Sequence, residues 1–159
     1  PSGVINEQQV LSEVTALFTN YNVVITNSET VYQGANPLKR TRVVVTTTSS
    51  WYSAGASGVA YVGSITWGDD TPAFVFSDRL YFLEHFVAEI VAHESGHTVG
   101  LRHQSEYDVN CILVSRYKSG AVMGNSMNSV QGQWIYGTTT SCTTYQDDNN
   151  VLKQVFGTK

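Results

Sequence analysis

The segment HESGHTVGLRH, which runs from His93 to His103, constrains this chain more than any other part of its sequence. His93 and His97 are four residues apart, so a helix would place both imidazoles on one face, one turn apart. Gly100 tolerates the left-handed conformation that ends a helix, and such a turn would let His103 return to the same point. Three neutral imidazoles and one water form the open coordination of a catalytic zinc ion.

Glu94 follows the first histidine directly, where its carboxylate can serve as the base for a metal-activated water. The short pattern HExxH arises by chance, but a glycine and a third histidine at fixed positions make the extended pattern far more specific. Two other interpretations are a chance cluster of core or surface histidines and a structural zinc site. A structural site is usually closed by four ligands and rich in cysteine, whereas the two cysteines of this chain lie outside the segment.

Length and composition bound the remaining possibilities. A chain of 159 residues suits one domain with a sizeable core, so we expect a single catalytic domain over residues 1–159. The net charge is −4, which excludes the basic surface typical of nucleic-acid binding, and no apolar run is long enough to span a membrane. A surface poor in charge favours a secreted protein, and we expect a monomer. Because the chain begins at Pro1, we expect a processed or excised piece.

The two cysteines and the paired aspartates each allow two interpretations. In an exported chain, Cys111 and Cys142 would form one disulfide, worth on the order of 3 kcal/mol; the alternative is two free thiols. The pairs Asp69-Asp70 and Asp147-Asp148 suit a calcium ion, but turn-forming and capping roles explain them as well. On the central helix, we interpret His85 as a structural or surface residue and Glu89 as a helix-face carboxylate.

The pattern of apolar residues gives a coarse order of elements. Three- and four-residue spacings predict helices over residues 6–21, 80–99 and 147–156, the second of them capped by Ser77-Asp78. Runs of β-branched and apolar residues predict strands at residues 22–26, 42–48, 58–67 and 73–76. Residues 27–39 are rich in turn-forming types, and residues 104–145 show little periodicity.

These features together resemble the metzincin zinc metallopeptidases, most closely the reprolysin type and related secreted bacterial members. Beyond the histidine segment, Met123 in the stretch SGAVMGNS resembles the methionine that metzincins place in a tight turn beneath the zinc ligands; Met127 is the competing candidate. The stretch GVAYVG resembles the edge strand to which an extended substrate pairs by main-chain hydrogen bonds, the alternative being an ordinary strand. The residues of this predicted edge strand are Gly58, Val59, Ala60, Tyr61 and Val62.

The resemblance implies an α+β fold with an α/β upper half. A twisted mixed sheet would pack on two helices, above an irregular lower half that ends in a C-terminal helix. The implied function is that of a zinc endopeptidase of the EC 3.4.24 type, which hydrolyses a protein or peptide with Glu94 as the general base. The S1′ pocket would lie between the zinc helix and residues 124–134. Gln104 departs from the residues that follow the third histidine in the best-known metzincin subfamilies, so the subfamily stays open.

Two other functions remain compatible with this sequence. One is a catalytically silent binding module that keeps the protease fold, and the other is a zinc hydrolase that acts on a non-protein amide. The first would be favoured by loss of Glu94 or of a zinc ligand, and neither is lost. The second is compatible with the histidine segment alone, whereas the predicted edge strand favours an extended peptide as substrate.

Overall fold

The computed structural model describes residues 3–159 and places a small mixed sheet against two packed helices. The helices of this part of the chain are α1 (Glu7–Leu17), α2 (Glu29–Gly34), α3 (Glu84–Thr98) and α4 (Asp148–Phe156). Its strands are β1 (Val43–Thr46), β2 (Gly58–Val59), β3 (Ala73–Phe76), β4 (Glu106–Tyr107), β5 (Leu113–Ser115), β6 (Tyr136–Thr138) and β7 (Tyr145–Asp147). None of these helices has the length and apolar character needed to cross a membrane.

The upper half is built on β3, which lies in the middle of a three-stranded sheet. It pairs in parallel with β1 and antiparallel with β2, so the sheet is mixed and β2 forms one edge. Ala73, Val75 and Phe76 of β3 are buried, as expected for a strand covered on both faces. Helix α3 contacts this sheet and also packs against α1. The predicted α+β architecture is therefore confirmed.

The hydrophobic core joins the two helices to the C-terminal part of the chain. Helix α1 contributes an apolar stripe at three- and four-residue spacing, and Asn6 caps its first turn by accepting a hydrogen bond from the Gln9 amide. The indole of Trp134 packs against Phe18 and donates to the Leu17 carbonyl at 2.8 Å. Leu152 of α4 is fully buried in the same core. The C-terminal helix α4 thus packs into the same core as α3, which carries His93 and His97.

Several predicted boundaries are wrong. Residues 22–26 form no strand, and residues 27–39 contain the short helix α2. The strand expected over residues 58–67 ends at Val59, and a 3-10 turn follows at Ser64–Trp67. Helix α3 begins at Glu84, because Tyr81 and Phe82 adopt positive φ angles of 55° and 52° that interrupt a helix.

Ser77-Asp78 does not cap helix α3 as predicted. These residues lie in a 3-10 turn, Ser77–Leu80, and Leu83 occupies the N-cap position of the helix without a side-chain hydrogen bond. The Asp78 carboxylate instead accepts hydrogen bonds from the amide and hydroxyl of Ser49. Although Asp78 lies close to the start of α3, its carboxylate therefore binds the loop that follows β1.

The lower half consists of two small antiparallel sheets, β4–β5 and β6–β7. The predicted disulfide is confirmed: Cys111 in the β4–β5 loop is bonded to Cys142 in the β6–β7 loop. The sequence separation of 31 residues encloses most of the irregular segment. Because such a cross-link restricts the unfolded chain, it should stabilise a region that has little regular structure of its own.

We predict that replacing both cysteines by serine lowers the free energy of unfolding by about 3 kcal/mol, as expected for a closed loop of this length. Urea denaturation of the oxidised wild type and the double variant, both without metal, measures the difference. The wild type treated with a thiol reductant is the matched control and should lose a similar amount. An unchanged denaturation midpoint would show that the disulfide does not stabilise the fold.

Candidate active site

Helix α3 presents two histidines on one face, and the backbone fixes the orientation of both rings. His93 Nδ1 donates to the Val122 carbonyl at 2.6 Å, and His97 Nδ1 donates to the Leu101 carbonyl at 2.7 Å. Each hydrogen bond places the ring hydrogen on Nδ1 and leaves Nε2 with a free lone pair. The two Nε2 atoms therefore face the cleft as potential metal ligands.

Gly100 lets the chain turn back so that a third histidine joins this pair. Its φ angle of 104° lies in the left-handed region that favours glycine. Beyond this turn, His103 brings its Nε2 atom to 3.0 Å from that of His97 and 3.1 Å from that of His93. Within residues 3–159, these three side chains are the group of histidine, cysteine or acidic residues that is close enough to hold a metal ion.

The three imidazoles are kept in the form that binds a metal. Burial lowers the pKa of His93 to about 3, and the neighbouring His97 adds to the shift. Burial likewise lowers the pKa of His103 to about 4, and it lowers the pKa of His97. Neutral imidazoles with converging lone pairs match the donor set of a catalytic zinc site with an open position. The residues present therefore fit zinc.

Glu94 lies beside this group with its carboxylate almost fully removed from solvent. Only 5% of the residue is exposed, and its Oε2 atom accepts no hydrogen bond from the described residues. Burial raises the pKa of this carboxyl to about 8. The other oxygen, Oε1, lies against Gly58 of β2, where a Cβ atom would come within 2.6 Å of it. Because Gly58 has no side chain, the Glu94 carboxylate can lie against the sheet edge.

Met123 lies in a tight turn that packs against helix α3. The Gly124 amide donates to the Ala121 carbonyl at 2.9 Å, which closes the turn around the fully buried methionine. The Met123 sulfur contacts Gly96 of α3, one residue before His97. The competing candidate, Met127, is only partly buried and lines the cleft. Met123 therefore lies in a tight turn against α3, and its role as the methionine of a metzincin turn stays a prediction.

The comparison with protein families agrees with this geometry. A reprolysin model of metallo-peptidase family M12 matches residues 5–150, which extend from just before α1 into α4. The chain belongs to metallo-peptidase family M12. No curated protein matched the sequence. The family match supports the predicted reprolysin type, which the identity of Gln104 had left open.

The cleft of this M12 peptidase has a volume of about 430 Å³ and lies between the sheet edge and the turn that carries Met123. Three of the five predicted edge residues line it, namely Gly58, Val59 and Ala60. Tyr61 and Val62 lie in the turn beyond the strand and are exposed. The opposite wall is formed by residues 124–127 together with Ile90 of α3, which is where the S1′ pocket was expected.

The sequence did not predict the roles of two residues, one that lines this cleft and one that is hydrogen-bonded to its wall. Tyr117 lines the cleft, and its ring centroid lies 5.0 Å from that of His103. It comes from the irregular segment, where no periodicity could have indicated it. Glu89, interpreted as a helix-face carboxylate, is only 2% exposed and accepts hydrogen bonds from Ser126 Oγ and the Gly132 amide. Its neighbours Ala88, Ile90 and Val91 are apolar, and this local contrast was the available signal.

The remaining polar candidates have local roles in the fold. His85 bridges Glu13 of α1 and the Ser129 carbonyl, consistent with a structural residue. Asp69 accepts a hydrogen bond from the Thr71 amide, and Asp70 pairs with Arg40 and with the Tyr32 hydroxyl. Asp147 caps α4, and Asp148 is buried among hydrogen-bond donors. A turn at Asp69, a helix cap at Asp147, and the pairing partners of Asp70 and Asp148 thus give each of these aspartates a role within the fold.

We predict that Gly96→Ala destabilises the protein by about 1–3 kcal/mol, because its methyl group would collide with the Met123 sulfur in a filled core. Urea denaturation of metal-free protein measures the loss. In a double-mutant cycle, Gly96→Ala combined with Met123→Ala should lower the free energy of unfolding by less than the sum of the two single changes. The reason is that alanine at residue 123 removes the collision. Additive costs would contradict direct packing between the two residues.

Proposed function

We propose that this M12 peptidase is a zinc endopeptidase of the EC 3.4.24 type, with residues 1–159 as one catalytic domain. The observation that carries the proposal is the convergence of three imidazole Nε2 atoms beside a buried carboxylate in one cleft. We assign His93, His97 and His103 as the zinc ligands. Zinc bound there would supply a Lewis acid that lowers the pKa of water and polarises a peptide carbonyl.

Glu94 is the general base of the proposed reaction. Its carboxylate accepts a proton from the attacking water and then donates that proton to the leaving amine. Burial raises its pKa to about 8, and a carboxyl with a raised pKa suits a group that must both accept and release a proton. Met123 supports the site from below by filling the space under Gly96.

The substrate is an extended peptide that pairs with the free edge of β2. That strand bonds to β3 on one side only, so its other edge can accept a further strand. Because Gly58 touches the Glu94 carboxylate, a peptide paired here would have its reacting bond close to the base. The retained glutamate and histidines favour an active enzyme over a silent binding module, and the strand edge favours a peptide over another amide.

We further propose that the enzyme acts outside the cell and as a monomer. The disulfide between Cys111 and Cys142 supports an oxidising compartment, where such bonds form and persist. Both walls of the cleft come from one chain, so the proposed chemistry requires no second copy.

We predict that Glu94→Gln retains zinc and lowers peptidase activity by about 10²- to 10⁴-fold, because the amide cannot accept the proton. Zinc content by atomic absorption and cleavage of casein or a fluorogenic peptide library measure the two properties. Glu29→Gln, an exposed carboxylate on α2, is the control and should leave both unchanged. Cleavage by Glu94→Gln at the wild-type rate would exclude Glu94 as the base.

We predict that Gly58→Ala lowers kcat/KM by about 10²-fold, because its methyl group displaces the Glu94 carboxylate from its position. Peptide cleavage is measured together with thermal unfolding, which shows whether the sheet survives the change. Gly55→Ala is the matched control, since a Cβ atom at residue 55 meets nothing within 4 Å. Equal activity of the two variants would contradict the proposed contact between β2 and the base.

A further inference from the structure

The third candidate ligand differs from the other two in how its position is fixed. His93 and His97 each donate from Nδ1 to a backbone carbonyl. For His103, the described residues provide no hydrogen-bond partner at Nδ1, and it lies outside helix α3. The position of its imidazole therefore depends on the backbone of the residues on either side and on the packing of Tyr117 against its ring.

The residue before His103 is held by a side chain from the middle of β7. Gln146 Nε2 donates to the Arg102 carbonyl at 2.9 Å, and Gln146 Oε1 accepts from the Arg102 amide at 2.9 Å. This pair of hydrogen bonds uses both polar groups of the Arg102 backbone. A side chain that is 44 residues away in sequence thus fixes one flank of the histidine.

The residue after His103 is held by the same part of the chain. Gln104 is fully buried, and its Nε2 donates to Asp148 Oδ1 at 3.1 Å and to the Gln146 carbonyl at 3.3 Å. Asp148 also accepts from Gln146 Nε2 at 2.8 Å and from the Ile135 amide at 3.2 Å. One fully buried carboxylate therefore organises donors from three separate segments.

This arrangement accounts for a glutamine directly after the third histidine. A carboxylate at residue 104 would face the Asp148 carboxylate in a buried site, where two like charges repel strongly. An amide supplies the donor that Asp148 requires. Gly137 makes room for it, because a Cβ atom there would come within 2.7 Å of Gln104 Oε1. The hydrogen-bond donor at residue 104 is thus matched to the acceptor at residue 148.

We propose that Gln146 and Asp148, acting through Arg102 and Gln104, are positioning residues for His103. The proposal rests on the proposed function, in which His103 binds zinc. Its consequence is that the start of α4 controls the affinity of the metal site, although neither residue contacts the three histidines. Partners of this kind typically change metal affinity by about 10- to 100-fold.

The test measures the zinc dissociation constant by competition with a chromophoric chelator, and the visible spectrum of the cobalt-substituted protein. Gln146→Ala and Gln104→Glu should each weaken zinc binding by about 10- to 100-fold and alter the cobalt spectrum. The double variant Gln104→Glu/Asp148→Asn places an amide opposite a carboxylate again and should recover most of the affinity. Asp147→Asn, which changes the exposed cap of α4, should bind zinc as the wild type does.

The zinc affinity of His103→Ala is measured in parallel. This variant distinguishes a failure of the positioning role from a failure of the ligand assignment. If it loses zinc while Gln146→Ala and Gln104→Glu bind as the wild type does, the positioning role is overturned and the ligand assignment stands. If His103→Ala binds zinc normally, the ligand assignment in the proposed function is wrong. Failure of the double variant to recover affinity would overturn the pairing of residues 104 and 148. Circular dichroism of the metal-free variants identifies any that fail to fold, and Gln146→Ala then carries the test.

Discussion

Three imidazole lone pairs must converge at one point of the cleft, and the rest of this structure depends on that requirement. A helix can supply two of them, but it cannot by itself choose which ring nitrogen faces the cleft. The carbonyls of Val122 and Leu101 make that choice by binding Nδ1 of His93 and His97. Val122 belongs to the turn around Met123, so this turn orients one candidate ligand and also packs against α3.

Close approach between segments is possible because several glycines near the histidines have no side chain, and three of them join elements of the site. Gly58 admits the Glu94 carboxylate, Gly96 admits the Met123 sulfur, and Gly137 admits the Gln104 amide. Each glycine lies on a different element, and each contact joins segments far apart in sequence. The metal site is therefore assembled by backbone proximity as much as by its polar side chains.

The elements that could be predicted from sequence are those whose signal is local. Helix α1, strand β3 and helix α4 have regular apolar patterns or caps of their own, and the histidine segment has fixed spacings. The interruption at Tyr81 and Phe82 could not be predicted, because neither residue type favours a positive φ angle and tertiary packing imposes it. Glu89 and Tyr117 acquire their roles only through residues that the fold brings to them.

Gln104 departs from the family pattern, and the fold gives a structural reason for this departure. In the linear sequence it only differs from the residues that follow the third histidine in better-known subfamilies. In the fold it faces the buried carboxylate of Asp148, so the donor and the acceptor form one unit. A residue at this position is therefore constrained by its partner at the start of α4. Subfamily differences next to the zinc ligands should accordingly be interpreted as pairs, because a change on one side alone would leave a buried polar group unsatisfied.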